Sequence, residues 1–192
     1  SNVQGQLRNV QFIRAGSYAF AALKGDGSVV TWGNAGSGGD SSKVEQQLKN
    51  VREVHVTTRA FAALLGSGSV VTWGSSASGG DSSAVQSQLR NVQQVYSTIG
   101  AFAALLGDGS VVTWGMAGQG GEVLEQLRNV QRLHATEQAF AALLGDGSVV
   151  TWGVYDPHVD VVYPVSRNLS EVGDDTGQFF LANVQQVHAT RG

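Results

Sequence analysis

The sequence predicts an all-β repeat array, and three observations carry that reading. Fifteen residues, AFAALLGDGSVVTWG, run from Ala101 to Gly115 and recur unchanged from Ala139 to Gly153. Two further copies, Ala19 to Gly33 and Ala60 to Gly74, differ at one position each, Lys24 in the first and Ser67 in the second. The tryptophans near the end of each copy, Trp32, Trp73, Trp114 and Trp152, stand 41, 41 and 38 residues apart. A fixed period near 40 marks an architecture in which each unit buries its apolar face against the next.

Each repeat opens with a strand: Asn9 to Gly16, Asn50 to Thr57, Asn91 to Thr98 and Asn129 to Thr136, with an orphan copy from Asn183 to Thr190. Ile13 and Ala15 alternate with Phe12 and Arg14, and Val54 and Val56 with Glu53 and His55, the period of a strand with one buried face. Two variable residues follow: Ser17-Tyr18, Thr58-Arg59, Ile99-Gly100 and Glu137-Gln138. The hairpins then span 19–33, 60–74, 101–115 and 139–153. In each, an apolar strand meets a glycine-rich turn, carrying Asp-Gly in three copies, and then the β-branched and aromatic run Val-Val-Thr-Trp. Asp bonds its own backbone and Gly takes positive φ, as a tight turn requires. Apolar residues on both faces of the first hairpin strand mean that it must be covered from both sides.

Linkers rich in Gly, Ser and Ala follow each Trp-Gly. Asp40 is placed to cap one to two turns of helix with Val44 and Leu48 on one face, and Asp81, Val85 and Leu89 repeat the arrangement; an outer strand is the alternative. The third linker is three residues shorter, which accounts for the spacing of 38. Residues 154–182 break the repeat. They hold both prolines, Pro157 and Pro164, and five acidic residues, Asp156, Asp160, Glu171, Asp174 and Asp175. A long excursion from such an array is a place for a binding loop. Residues 1–192 read as a single array that starts and stops mid-repeat without an initiator Met. The expectation is a window from a longer precursor, with any targeting segment outside it and the compartment unassigned.

Composition excludes some functions and leaves others open. A net charge of -3 offers no electrostatic reason for nucleic-acid binding, so none is expected. No apolar run is long enough for a helical membrane span. The absence of cysteine removes disulfides, thiolate-ligated zinc and thiol catalysis. Twenty-six glycines against two prolines fit many tight turns.

Strand, variable pair, hairpin and terminal Trp-Gly, in that order, resemble the repeat of the regulator of chromosome condensation (RCC1-like) family. The resemblance rests on Ile13-Arg14-Ala15-Gly16, Ala21-Ala22-Leu23, Asp26-Gly27 and Thr31-Trp32-Gly33, and covers nearly the whole chain outside the insertion. It implies β-propeller blades with short helical turns between them. Family members tend to be seven-bladed, so four hairpins imply an incomplete ring or arc, held in an oligomer or larger complex. Two departures stand out. Ala19, Ala60, Ala101 and Ala139 occupy the place of a customary His, and Gly-Gly-Asp-Ser-Ser replaces the usual Gly-Gln-Leu-Gly.

Among site candidates, Trp32, Trp73, Trp114 and Trp152 read as packing between blades rather than as a ligand ring or photosensor. The Gly-Trp-Arg motif of a photosensing plant member is absent. Arg14, His55, Tyr96, His134 and His188 share one strand position and read as surface residues, with an anion or metal site as the sharper alternative. His158 between Asp156 and Asp160 fits no metal-site spacing. Gly36-Ser37-Gly38-Gly39 lacks the Lys-Ser or Lys-Thr of a phosphate loop, and no nucleophile elbow occurs. No cofactor, metal or catalytic residue is expected, and the chain is read as not an enzyme. The variable pairs are the candidate partner-binding residues, with Tyr18 and Arg59 as anchors and neutral variation as the alternative. The function expected is a protein-protein interaction scaffold, probing which means finding its protein partner. Guanine nucleotide exchange on a small GTPase, which some family members perform, is the alternative the resemblance implies.

Overall fold

Asp-Gly turns and β-branched runs do form hairpins, and each hairpin joins the strand before it into a three-stranded antiparallel blade. The computed structural model describes residues 3–122 and 127–153, together with the backbone of two short strands at Val172–Gly173 and Phe179–Leu181. Blade 1 comprises β1 (Val10–Ala15), β2 (Ala19–Lys24) and β3 (Val29–Gly33); blade 2 comprises β4 (Val51–Val56), β5 (Ala60–Leu65) and β6 (Val70–Gly74). Blade 3 comprises β7 (Val92–Ser97), β8 (Ala101–Leu106) and β9 (Val111–Gly115), and blade 4 comprises β10 (Val130–Ala135), β11 (Ala139–Leu144) and β12 (Val149–Gly153). The short strands β13 (Val172–Gly173) and β14 (Phe179–Leu181) extend blade 4, β14 pairing antiparallel with β12. Part of the insertion therefore returns to the sheet. The orphan strand 183–190, Ser1-Asn2 and most of 154–182 lie outside the described residues.

A β-bulge reshapes every opening strand. Pairing slips between Val51 and Glu53, and at the equivalent place in β1, β7 and β10. The extra residue turns Val51 and Val54, three apart, onto one buried face, where strict alternation would separate them. Ahead of each strand, Asn9, Asn50, Asn91 and Asn129 adopt φ of 54–57°. Sequence reading placed these asparagines inside the strands. They are left-handed hinges instead, a conformation Asn tolerates better than most residues. Their carbonyls accept the turn N–H of Gly25, Gly66, Gly107 and Gly145 at 2.8–2.9 Å.

Blades pack face to face in chain order. The trailing face of blade 2, with Ala60, Ala62, Leu64 and Val70, packs on the leading face of blade 3, with Val92, Val95, Phe102, Val112 and Trp114. Blades 1 and 2 and blades 3 and 4 repeat the arrangement. This answers the two-sided cover that the apolar hairpin strand demands. The rim bearing the hairpin turns is stitched as well, since Val51, Val92 and Val130 donate backbone N–H groups to Gly27, Gly68 and Gly109 at 2.9–3.0 Å. Among the described residues the array is unclosed, and Ile13 and Phe20 on the leading face of blade 1 are 51% and 40% exposed.

The linkers differ from expectation. The segment after Asp40 makes only a 3₁₀ turn at Glu45–Gln47, and its counterpart after Asp81 makes turns without a helix. So short a segment gains too few bonds to nucleate an α-helix. Asp40 and Asp81 each accept the N–H two residues on, at 2.9 Å, as turn formers. Regular 3₁₀ turns lie earlier, at Ala35–Ser37, Ser76–Ser78 and Ala117–Gln119, each closed by a left-handed glycine. Val44, Leu48, Val85 and Leu89 still meet the core as their spacing implied. In the third linker, residues 123–126 lie outside the described residues.

Candidate functional site

Every variable pair bridges an opening strand and its hairpin, so all four fall on one rim of the array. A backbone ladder aligns them. Ser17 N donates to the Thr58 carbonyl at 2.9 Å, Thr58 N to Ile99 at 2.9 Å and Ile99 N to Glu137 at 2.7 Å. Buried threonines fix the ladder from below: Thr98 Oγ1 accepts the Ala101 N–H at 3.0 Å and donates to the Gln119 carbonyl at 2.9 Å, and Thr57 does the same with Ala60 and Ser78. The scaffold thus holds each first residue by its backbone and leaves its side chain free to vary.

Ser17, Tyr18, Arg59, Ile99, Glu137 and Gln138 are exposed, and Thr58 is half-buried with its hydroxyl on the Ile99 carbonyl at 2.6 Å. The two expected anchors meet across the blade boundary, with the Arg59 guanidinium 5.3 Å from the Tyr18 ring centroid. A cation over an aromatic face is held in place without losing its outward donors. Gly100 is a correction: it is buried, and a Cβ there would meet Gln119 Oε1 and lie 3.3 Å from Met116 Cβ, so it packs rather than presents. Met116 was missed. It is 43% exposed and its N–H donates to the Gly100 carbonyl, which sets it beside Ile99. Its signal was readable, because Asn34, Ser75 and Val154 hold the same place after Trp-Gly and Met116 is the largest apolar residue of the four.

The tryptophans divide. Trp73, Trp114 and Trp152 are buried, stack on Phe61, Phe102 and Phe140 at 5.3–5.4 Å, and donate Nε1–H to the carbonyls of Gly38, Gly79 and Gly120 at 3.0–3.2 Å. They pack between blades as expected. Trp32 does not: it stacks on Phe20 at 5.3 Å but is partly exposed, and its Nε1 has no hydrogen bond among the described residues. Among the described residues no glycine carbonyl is placed to receive it.

The strand position shared by Arg14, His55, Tyr96 and His134 assembles no ligand cage. Arg14 Nε donates to the Val54 carbonyl at 3.1 Å and its guanidinium lies over Phe12. His55 meets Glu53 at 3.0 Å and the Tyr96 hydroxyl donates to Gln94. Burial pushes the His55 pKa down against the opposing pull of Glu53. Burial raises the Tyr96 phenol. Among the described residues no group of His, Asp and Glu could hold a metal ion, and no helix is long and apolar enough to cross a membrane. His158 with Asp156 and Asp160, and His188, lie outside the described residues.

Blades packed face to face around a shared row of opening strands define a propeller-type array, and solved structures agree. The chain is similar to Prp20p from Saccharomyces cerevisiae, described with its binding to Gsp1p and histones, with a TM-score of 0.58 at 19% identity over 79% of this chain and 46% of that one. Human WBSCR16 matches with a TM-score of 0.52 at 21% identity over 75% and 47% of the two chains. The CRINKLY WD40 ectodomain of the Arabidopsis thaliana receptor kinase ACR4 matches with a TM-score of 0.52 at 15% identity over 77% and 54%. The chain therefore spans about half the length of these structures. No family model and no curated protein matches the sequence.

Proposed function

We propose that the chain is a non-catalytic interaction scaffold that docks a protein partner on the rim formed by Ser17, Tyr18, Thr58, Arg59, Ile99, Glu137 and Gln138, with Met116 beside them. The observation that supports this reading is the ladder from Ser17 to Glu137, which lines up the most variable residues of near-identical repeats on one rigid edge. Tyr18, Ile99 and Met116 supply exposed apolar area, with Arg59 over Tyr18 and Glu137 beyond Ile99 adding opposite charges, a composition suited to a protein surface. Affinity capture with the intact chain, quantified against a Tyr18→Ala, Arg59→Ala, Ile99→Ala triple variant, tests it. A partner retained in one-to-one ratio by the chain and lost by the variant supports the rim. A partner equally retained by both refutes it.

Guanine nucleotide exchange on a small GTPase is the second reading, favoured by the likeness in fold to Prp20p, whose described partners include Gsp1p. Accelerated release of a fluorescent guanine nucleotide from a panel of small GTPases would support it. Unchanged release across the panel would remove it.

A further inference from the structure

The four hairpins are identical but for two residues, and both departures move charge in one direction. Lys24 stands where the other copies have Leu65, Leu106 and Leu144, and Ser67 stands where they have Asp26, Asp108 and Asp146. Each makes the rim bearing the hairpin turns more positive, in the neighbouring blades 1 and 2. That rim carries a second regularity. The residue before each asparagine hinge is a cation, Arg8, Lys49, Arg90 and Arg128, and all four are exposed. Backbone bonds at the hinges fix where these cations stand. The Asn50 carbonyl accepts the Gly66 N–H at 2.8 Å and Val92 N donates to Gly68 at 2.9 Å, so the exposed turn at Ser67 is held between the hinges that follow Lys49 and Arg90. The turn of Asp108 lies between the next two hinges in the same way, and Arg128 acts electrostatically on its carboxylate. In blade 1, Lys24 meets Asp26 at 3.3 Å. Between Lys49 and Arg90 the aspartate is missing. Lys49 reaches the neutral Gln46 at 3.4 Å, and the Arg90 side chain has no hydrogen bond or ion pair among the described residues. Arg52, two residues beyond Asn50, adds a third exposed cation.

We propose that the turn rim around Ser67 is a docking surface for an extended acidic segment of a partner protein, whose carboxylates lie over Lys49 and Arg90. Charge complementarity selects that occupant. Arginine presents a planar fork that matches a carboxylate, and lysine adds a second point of positive charge. A single-stranded nucleic acid gains its affinity from aromatic faces on which bases stack, and a lipid surface from apolar side chains that enter it. Among the described residues this rim offers neither. Tyr18, Ile99 and Met116 lie on the opposite rim, and Ile13 and Phe20 on the leading face of blade 1. The surface is separate from the rim of variable pairs and does not rest on that reading.

Fluorescence anisotropy of a labelled deca-glutamate peptide, titrated with the intact chain at low and at physiological ionic strength, tests the proposal. Saturable binding that weakens with salt is expected. The double variant Lys49→Glu, Arg90→Glu is expected to weaken it at least about ten-fold. Ser67→Asp restores the residue that the other three turns carry, so the hairpin keeps its fold, and is expected to weaken binding about two- to five-fold, the reach of one exposed charge pair. Arg132→Glu, on the opening strand of blade 4, changes the net charge more than Ser67→Asp does and is expected to leave the affinity as it was. Near-ultraviolet circular dichroism checks that each variant is folded. Absence of saturable binding at low salt overturns the proposal, as does an affinity unchanged in Ser67→Asp or lowered equally by Arg132→Glu. Tighter binding of single-stranded oligothymidylate or of phosphatidylserine vesicles than of the peptide overturns it as well.

Discussion

Blade 1 and blade 3 carry the same hairpin but for Lys24, and the same Phe-Trp stack at 5.3 Å, yet Phe102 is wholly buried where Phe20 is 40% exposed. The stack is a local property of paired strands, since Phe20 faces Trp32 and Phe102 faces Trp114 in the same register. Burial is a property of the neighbour. Blade 2 covers Phe102 with its alanine face and offers the Gly79 carbonyl to Trp114, while the described residues place no blade before blade 1. Equivalent sequences thus differ in burial with the neighbour that the described residues supply.

The comparison is open to direct attack by truncating the two stacks. Phe102→Ala is expected to cost about 3–5 kcal/mol, the transfer term plus a cavity that packed blades cannot collapse. Phe20→Ala is expected to cost about 1–2 kcal/mol, since much of its ring already meets solvent. Urea denaturation of both variants reads the gap, and equal losses would break the comparison. The left-handed glycine supplies a second contrast. Gly79 sits at φ +90° and an added Cβ would lie 2.6 Å from the Phe102 ring, so Gly79→Ala is expected to cost about 2–3 kcal/mol in the same measurement.

A smaller effect separates the indoles. Trp114→Phe leaves the buried Gly79 carbonyl without its donor, which costs about 1–3 kcal/mol. Trp32→Phe strands no acceptor and is expected to cost less, as compared by thermal melts of the two variants. The smallest expected effect concerns the turns. Serine hydroxyls and N–H groups at Ser28, Ser110 and Ser148 hold the carboxyls of Asp26, Asp108 and Asp146 below the usual range, Asp26 to about 2 with a further contribution from Lys24 at 3.3 Å. A folded pKa below the unfolded one means that the stabilisation is complete above about pH 4 and is lost as pH falls through the folded value. Protection factors for amide exchange, corrected for the intrinsic rate at each pH, are therefore expected to fall between pH 4 and pH 2 at the turns of blades 1, 3 and 4. In blade 2, Ser67 replaces the aspartate and binds Ser69 N at a long 3.4 Å, so its turn is expected to stay unchanged.

Much of the fold was legible because its signals are short-range. Alternation, Asp-Gly turns and the tryptophan period located every hairpin and every opening strand of the four blades. The asparagine hinges were misplaced because Asn-Val-Gln reads as strand until the carbonyl of Asn9 is seen holding Gly25. The bulge was invisible for a similar reason, since Val51 and Val54 look out of phase on a regular strand. At the rim, variability marked residues that the structure aligns on one edge, but Gly100 joined them only because burial has no signature in a variable pair. Met116 was passed over because it stands outside the pair, and only the bond from its N–H to Gly100 brings it back.

By itself the sequence determined the hairpins, their period and the all-β blade, because turn chemistry and side-chain alternation act within a few residues. Tertiary structure alone decided which copies of the same stack are core and which are surface. It also set Arg59 over Tyr18, 41 residues away, and strung the variable residues along one ladder. The reason is physical: near-identical units cannot carry their own burial, which comes from whichever face lies against them.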